Sequence, residues 1–354
     1  MKVKKLISLV LVIVICSTVF VACGNNGDSN TTSSNTTENA TQVNEKSKTI
    51  IVIAKGESGG YWDNISRGAA EAAKKYGYTA VFRGTENELE AQAQKELIDK
   101  AIDENCAGIV LATVSDGFTE VLAKAYDKKV PIVQFDSGIN EEDIKKLDSD
   151  SKNPIISKVS TSNRDAGAEV AEMFFSAIKG EIAKADEKYV VGIVNANKFS
   201  NTTERAEGFK EKFSELADED DSTKGKYTFA LADDENAVKS LEILTDKNAK
   251  AVFITDENSV SDISDEVSRV KEAYKDIIFC GFDSGAKQIQ WLKSENSNFI
   301  GAVAQNAYEI GYNAVEQCVF AAEGKEIKDN VEIAVKWYDT SNLEKMIQEN
   351  IVYE

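Results

Sequence analysis

Val130-Pro131-Ile132-Val133-Gln134-Phe135-Asp136-Ser137-Gly138 and Ile277-Ile278-Phe279-Cys280-Gly281-Phe282-Asp283-Ser284-Gly285 both end in Phe-Asp-Ser-Gly. Each is a short run rich in β-branched and aromatic residues, the composition of a strand buried on both faces of a parallel sheet. In each, a carboxylate stands at the C-terminal end just before a turn, where open α/β sheets hold their ligands. Read singly, either copy is ordinary strand-to-turn chemistry. Half a chain apart and in matching context, the pair predicts two similar lobes that each offer an Asp to a shared cleft.

Outward from these copies the pattern alternates strand and helix. Thr49–Lys55 reads as a strand, 56–60 as a Gly-rich loop, and Tyr61–Tyr76 as a helix closed by Gly77. A strand follows at Thr79–Arg83, then a helix capped by Asn87 with Leu89, Ala93, Leu97, Ala101 and Ile102 at helical spacing. Strands at Ala107–Ala112, Val130–Asp136 and Ile155–Thr161 continue the series, with a helix at Asp116–Asp127 and a polar, acidic loop before Ile155. The alternation restarts with helices at Asn163–Lys179, Ser200–Leu216, Asn236–Asp246, Asn258–Tyr274, Gly285–Lys293 and Ala307–Ala322. Between them come strands at Tyr189–Asn195, Tyr227–Ala232, Ala249–Thr255, Ile277–Asp283 and Phe299–Gln305. One strand, Val331–Tyr338, and one helix, Ser341–Gln348, complete the chain. This βαβ periodicity predicts an α/β fold of two doubly wound parallel-sheet lobes. A length of 354 residues suits two such units.

The first residues read as a leader rather than as part of the fold. Met1–Lys5 is basic, Leu6–Val21 is apolar, and the segment ends Val21-Ala22-Cys23-Gly24. Residues 1–22 match a secretory signal whose small residue before Cys23 has lipobox character, so Cys23 is expected to be lipidated. Residues 23–48 are almost wholly Asn, Ser, Thr, Gly and charged, the composition of a disordered tether.

Composition narrows the chemistry. Sixty acidic residues against 41 basic give a net charge of −19, which argues against nucleic acid or an anionic membrane surface as the main partner. The chain contains no histidine, which removes the commonest general base and His-ligated zinc. Cys106, Cys280 and Cys318 lie in apolar contexts and read as buried free thiols. Gly56-Glu57-Ser58-Gly59-Gly60 is neither a dinucleotide fingerprint nor a P-loop, because no Gly-Lys-Ser/Thr follows. No cofactor and no metal are expected, and no pair of acids has a companion nucleophile. An enzyme is not indicated.

What remains is a set of polar side chains at predicted strand ends: Lys55, Thr113, Asp136, Thr161, Arg205, Asp256, Asp283 and Gln305. Several acceptors mixed with an Arg and a Gln suit a neutral, polyhydroxylated ligand. Tyr61 and Trp62, at a helix N-terminus on the same edge, could stack on the flat face of a sugar. Trp62 as a plain core residue is the alternative.

With these motifs in place, the chain from Thr49 to about Tyr338 resembles the ribose-binding type of bacterial periplasmic sugar-binding proteins (type I fold), which serve ABC permeases. The resemblance rests on Gly59-Gly60-Tyr61-Trp62, 130–136, Ser162-Asn163-Arg164-Asp165-Ala166-Gly167, 205–209, 251–256, Gly281-Phe282-Asp283 and Ala304-Gln305. It implies that Tyr61 and Trp62 stack on the ligand. Asp136, Arg205, Asp256, Asp283 and Gln305 would bind its hydroxyls, with Phe282 alongside. It also implies a three-strand hinge with crossovers near Thr161, Gln305 and Ala334. The lobes would then comprise residues 49–161 with 306–334, and 162–305 with 335–354. Three positions depart from the pattern: Asp256 replaces the usual Asn, Ser137 the Arg common in pentose binders, and Asp234 an aromatic. Lys55 with Asp136-Ser137 is similar to relatives that bind a furanosyl quorum signal.

The leading expectation is therefore a lipid-anchored extracytoplasmic protein, acting as a monomer, that captures a monosaccharide or polyol for an ABC permease. A ligand-sensing module for a membrane sensor kinase or chemoreceptor is the alternative. A LacI-type regulator shares the fold, but a leader stands where its helix-turn-helix would be.

Overall fold

The computed structural model describes residues 47–86, 90–198 and 200–353. The leader, Cys23, most of the tether, the Asn87 cap and Leu89 lie outside the described residues.

Strand β1 (Thr49–Ile53) is apolar without alternation, and Ile50 to Ile53 are fully buried, because helices cover both faces of its sheet. It leads through α1 (Gly60–Lys75) to β2 (Thr79–Arg83), and through α2 (Ala91–Asp103) to β3 (Gly108–Leu111). Helix α3 (Thr119–Asp127), β4 (Ile132–Phe135), α4 (Glu141–Ser149) and β5 (Ile155–Thr161) follow. After α5 (Asn163–Lys184) the plan repeats as β6 (Tyr189–Val194), α6 (Ser200–Glu219), β7 (Tyr227–Ala232), α7 (Ala237–Asp246) and β8 (Ala249–Ile254). Then come α8 (Glu257–Arg269), α9 (Lys271–Tyr274), β9 (Ile278–Phe282), α10 (Ala286–Lys293) and β10 (Phe299–Ala304). The chain finishes with α11 (Ala307–Ala322), β11 (Asn330–Ile333), β12 (Lys336–Tyr338) and α12 (Leu343–Gln348).

Two six-stranded sheets result, ordered β11-β5-β4-β3-β1-β2 and β12-β10-β9-β8-β6-β7. They correspond position for position, so β4 and β9, which carry the two Phe-Asp-Ser-Gly copies, are equivalent strands. All pairs are parallel except β10 with β12, which is antiparallel. The chain passes between the sheets after β5, after β10 and between β11 and β12.

The same packing device recurs in both halves. A Cβ added at Gly68 of α1 would lie 1.9 Å from the Tyr308 carbonyl oxygen of α11, and one at Gly311 only 2.1 Å from that of Ile65. In the second half a Cβ at Gly167 of α5 would meet the Arg205 carbonyl oxygen at 2.0 Å, and one at Gly208 of α6 that of Arg164 at 2.0 Å. Backbone touches backbone at these crossings, which only glycine permits. The α5–α6 crossing also fixes the helix that carries Arg205.

Three expectations are corrected. The acidic loop before Ile155 contains α4, whose N-cap Asn140 accepts from the Glu142 amide and whose first turn holds Glu141, Glu142 and Asp143, favourable against the helix dipole. The single strand at 331–338 is two, because its halves pair with different sheets on either side of Ala334-Val335. The helix over 258–274 breaks at Val270, whose φ −127° and ψ 53° leave the helical region. Cys106, Cys280 and Cys318 are buried, as their apolar contexts led one to expect.

Candidate functional site

A cavity of about 260 Å³ lies where the C-terminal ends of strands from both sheets face each other. Lys55, Tyr61, Trp62 and Asp136 line it from one side, and Arg205, Asp256, Asp283 and Gln305 from the other. Eight of the eleven ligand residues expected from the sequence thus share one space. The other three do not line it. Phe282 is fully buried beneath it. Thr113 is buried, its hydroxyl 3.3 Å from the Gly138 carbonyl. Thr161 lines a neighbouring cavity of about 390 Å³ that also reaches Asp136.

The first wall is organised around Asp136, one residue past β4. Its φ of 54° is left-handed, a region Asp tolerates better than most residues, and it turns the carboxylate away from the strand. The Tyr61 hydroxyl donates to Oδ1 at 3.0 Å, and the Lys55 ammonium lies 2.9 Å from Oδ2. Burial opposes charge on Asp136, but Lys55, the Ser137 amide and Tyr61 together more than offset it and hold the carboxyl below its usual range. Tyr61 is the converse case. Burial first, then the Asp136 and Asp283 carboxylates, push its phenol well above its ordinary value, so it serves as a donor. Trp62 packs edge-on to Phe135 with centroids 6.4 Å apart, as a core residue does, and also borders the cavity. Lys55 Nζ stands 5.8 Å from the Trp62 ring centre, within cation–π range.

The second wall is organised around Arg205 and Asp283. The guanidinium lies flat on Phe282, 3.7 Å from the ring centre. Its Nε donates to Asn163 Oδ1 at 2.9 Å and its Nη1 to the Thr255 carbonyl at 3.0 Å, while Asp283 Oδ2 is 3.7 Å away. Asp283 accepts from Gln305 Nε2 at 2.8 Å. Burial raises its carboxyl above the usual range. Arg205 and Gln305 pull against that rise, and the Asp136 and Asp256 charges add to it. Asp256 caps α8, accepting from the Ser259 amide at 3.0 Å and the Ser259 hydroxyl at 2.8 Å. Each carboxylate oxygen takes one of these bonds and keeps further acceptor capacity, and the residue lines the cavity. The site is a ring of held acceptors and donors with aromatic faces beside them. Among the described residues, no cluster of three or more His, Cys, Asp and Glu side chains is placed to hold a metal.

The sequence profile of the periplasmic binding protein domain matches residues 50–326. The chain belongs to that family. It is a family of solute-binding proteins, not of enzymes. Among curated relatives, the D-allose-binding periplasmic protein of Escherichia coli is 22% identical over 285 residues, 78% of this chain and 85% of that protein. A Brachyspira murdochii structure described as an ABC transporter, LacI family transcriptional regulator superposes with TM-score 0.75 and 28% identity over 87% of this chain and 99% of its own. An ABC transporter solute-binding protein from Agrobacterium vitis with bound D-fucose, at 18% identity and TM-score 0.68 over 86% and 100% of the two chains, shares the fold.

This binding protein also lines its cavity with residues that strand-end reasoning passed over. Asn197 stands in the loop after β6, one residue beyond the position that matches Lys55 after β1, so comparing the loops that follow these equivalent strands would have pointed to it. Glu257 and Asn258 open α8, next to the expected Asp256. Tyr353 arrives from beyond the last helix and carried no sequence signal.

Proposed function

We propose that the protein is a lipid-anchored solute-binding protein on the outer face of a bacterial membrane, held through Cys23, that captures a monosaccharide or polyol and delivers it to an ABC permease. The observation that carries this reading is that Asp136 and Asp283, from equivalent strands of the two sheets, line one cavity beside Tyr61 and Trp62. A polyol needs many fixed donors and acceptors and a flat apolar face, and these residues supply both. The cavity of about 260 Å³ is smaller than the roughly 300–1,000 Å³ of drug-sized sites, which suits a single sugar ring. The named relatives bind D-allose and D-fucose.

In this reading the lobes are residues 49–161 with 306–334 and residues 162–305 with 335–354. They hinge at the three crossings and close over the ligand. The protein acts as a monomer. Titration calorimetry of the folded body against sugars, polyols, nucleosides and amino acids tests the assignment. Sugars or polyols should bind, and D136A and D283A should each abolish binding while leaving a folded protein. Binding of nucleosides or amino acids alone would replace the sugar reading. A second reading, a sensing module for a furanosyl signal, draws on the Lys55–Asp136 pair. An adjacent kinase gene in place of a permease gene would favour it.

A further inference from the structure

The segment after α12 crosses the cleft. Asn350, with left-handed φ 57°, turns the chain back, and the amides of Ile351 and Val352 bond the Met346 carbonyl at 3.0 and 3.2 Å. Ile351 and Val352 are buried in the hydrophobic cluster that includes Phe279, Phe299 and Tyr338 of the second sheet, so the segment is rooted in that half. The Tyr353 amide then donates to Ser284 Oγ at 3.1 Å, a residue of the second Phe-Asp-Ser-Gly copy. From this base the Tyr353 ring reaches the other half of the molecule. It packs on the bare backbone of Gly60, where an added Cβ would stand 2.3 Å from Cδ2, and its centroid is 6.4 Å from that of Tyr61. Tyr353 is only 8% exposed and borders the same cavity as Asp136 and Asp283.

We propose that Tyr353 is a specificity-determining residue of the cleft: its ring completes the aromatic wall begun by Tyr61, limits the cavity to one sugar ring, and clasps the two halves together through Gly60. The proposal rests on the sugar-binding reading for its ligand class but not for the clasp. The geometry requires the ring to be where it is only when the halves are closed, because its anchor lies in one half and its contact in the other. A ligand longer than one ring would have to displace the phenol from Gly60. Burial, then the charges of Asp283 and Glu257, raise the phenol well above its ordinary value, so the ring enters the site neutral.

The test compares the wild-type chain with Y353A, Y353F and G60A. The three variants separate loss of the ring, loss of the hydroxyl and displacement of the ring by a new Cβ. Calorimetry and stopped-flow fluorescence would follow monosaccharides, their methyl and phenyl glycosides, and disaccharides. Y353A and G60A should release a bound monosaccharide at least tenfold faster and gain measurable binding of glycosides or disaccharides that the wild type excludes. Y353F should keep the size limit. Wild-type off-rates and an unchanged ligand range in both Y353A and G60A would overturn the proposal. If the wild type bound no monosaccharide, the sugar reading would fail instead. Small-angle scattering without ligand would then decide the clasp: a larger radius for Y353A and G60A than for wild type supports it, and equal radii overturn it.

Discussion

Asp136 and Asp283 stand one residue past the ends of equivalent strands with matching left-handed backbones, φ 54° and 61°, yet their carboxyls are driven in opposite directions. Both side chains are largely shielded from water, and such shielding alone raises a carboxyl. At Asp136 an ammonium 2.9 Å away reverses that rise. At Asp283 the nearest guanidinium nitrogen is 3.7 Å away and already committed to the Thr255 carbonyl, so the rise survives. One cleft therefore holds a firm anion on one wall and a reluctant one on the other.

Stability should follow this asymmetry with pH. The lowered carboxyl of Asp136 contributes stability that is fully present above its unfolded value and is lost as pH falls through the folded one. The raised carboxyl of Asp283 has the opposite sign, with stability lost as pH rises from the unfolded value to the folded one. At neutral pH D136N should therefore destabilise by about 1.5–3 kcal/mol, the scale of a hydrogen bond to a charged group. That deficit should shrink below the ordinary carboxylate range. D283N, which removes the reluctant charge, should be at least as stable as wild type at neutral pH, and that advantage should shrink as pH falls and the Asp283 carboxyl takes up its proton. Urea unfolding of both variants at several pH values measures this, and identical profiles would refute the assignment.

Arg205 is held on three sides, by Phe282, Asn163 and the Thr255 carbonyl. A lysine keeps the charge but cannot lie flat on the ring while donating to two fixed acceptors. R205K should lose at least tenfold in ligand affinity, about 1.4 kcal/mol, with most of the loss in the dissociation rate. Calorimetry checks the size of the effect and stopped-flow its kinetic origin. Wild-type affinity in R205K would mean that charge alone suffices on this wall.

The parts of this architecture legible in the sequence are those that depend on local pattern. Buried parallel strands announce themselves as continuous apolar runs, and the repeated Phe-Asp-Ser-Gly marked the two equivalent strand ends. Contacts between distant segments left no such mark. Thr113 sits at a strand end as Asp136 does, but its hydroxyl is taken up by the carbonyl of Gly138, from the turn after the next strand, a contact that spacing cannot reveal. Helix α4 was hidden by its charge, since only Ile144 and Leu147 give it an apolar stripe. Tyr353 follows a short helix in a tail with no periodicity, and only the fold brings it to Gly60.

The hidden helix does structural work through Asp143, which is fully buried and accepts from the Phe118 and Thr119 amides at 3.1 and 2.9 Å. These are the amides of the N-cap and of the first residue of α3, whose cap, Phe118, has no side-chain acceptor of its own. Asp143 thus caps a helix from a neighbouring one. D143A would leave both amides unsatisfied and should destabilise by about 1–3 kcal/mol, while N140A, which removes an exposed cap, should lose only about 0.5–2 kcal/mol. Chemical denaturation of the pair checks the ranking. A D143A loss no larger than that of N140A would assign Asp143 no capping role.

The glycine crossings link stability to the cleft. At Gly208 a methyl would press on the Arg164 carbonyl oxygen, so α6 must lift from α5 and carry Arg205 with it. At Gly68 a methyl would press on the Tyr308 carbonyl oxygen, and α1 would move with Tyr61. G208A and G68A should each destabilise by about 1–3 kcal/mol, the usual scale of overpacking, and each should weaken ligand binding. Gly180 is the control. It lies inside α5 with nothing within 4 Å of its added Cβ, so G180A should stabilise by about 0.4–1 kcal/mol through the unfolded state. Its affinity should stay at the wild-type value. Melting curves and calorimetry on the three variants measure both effects, and G208A with wild-type affinity would uncouple the helix crossing from the position of Arg205.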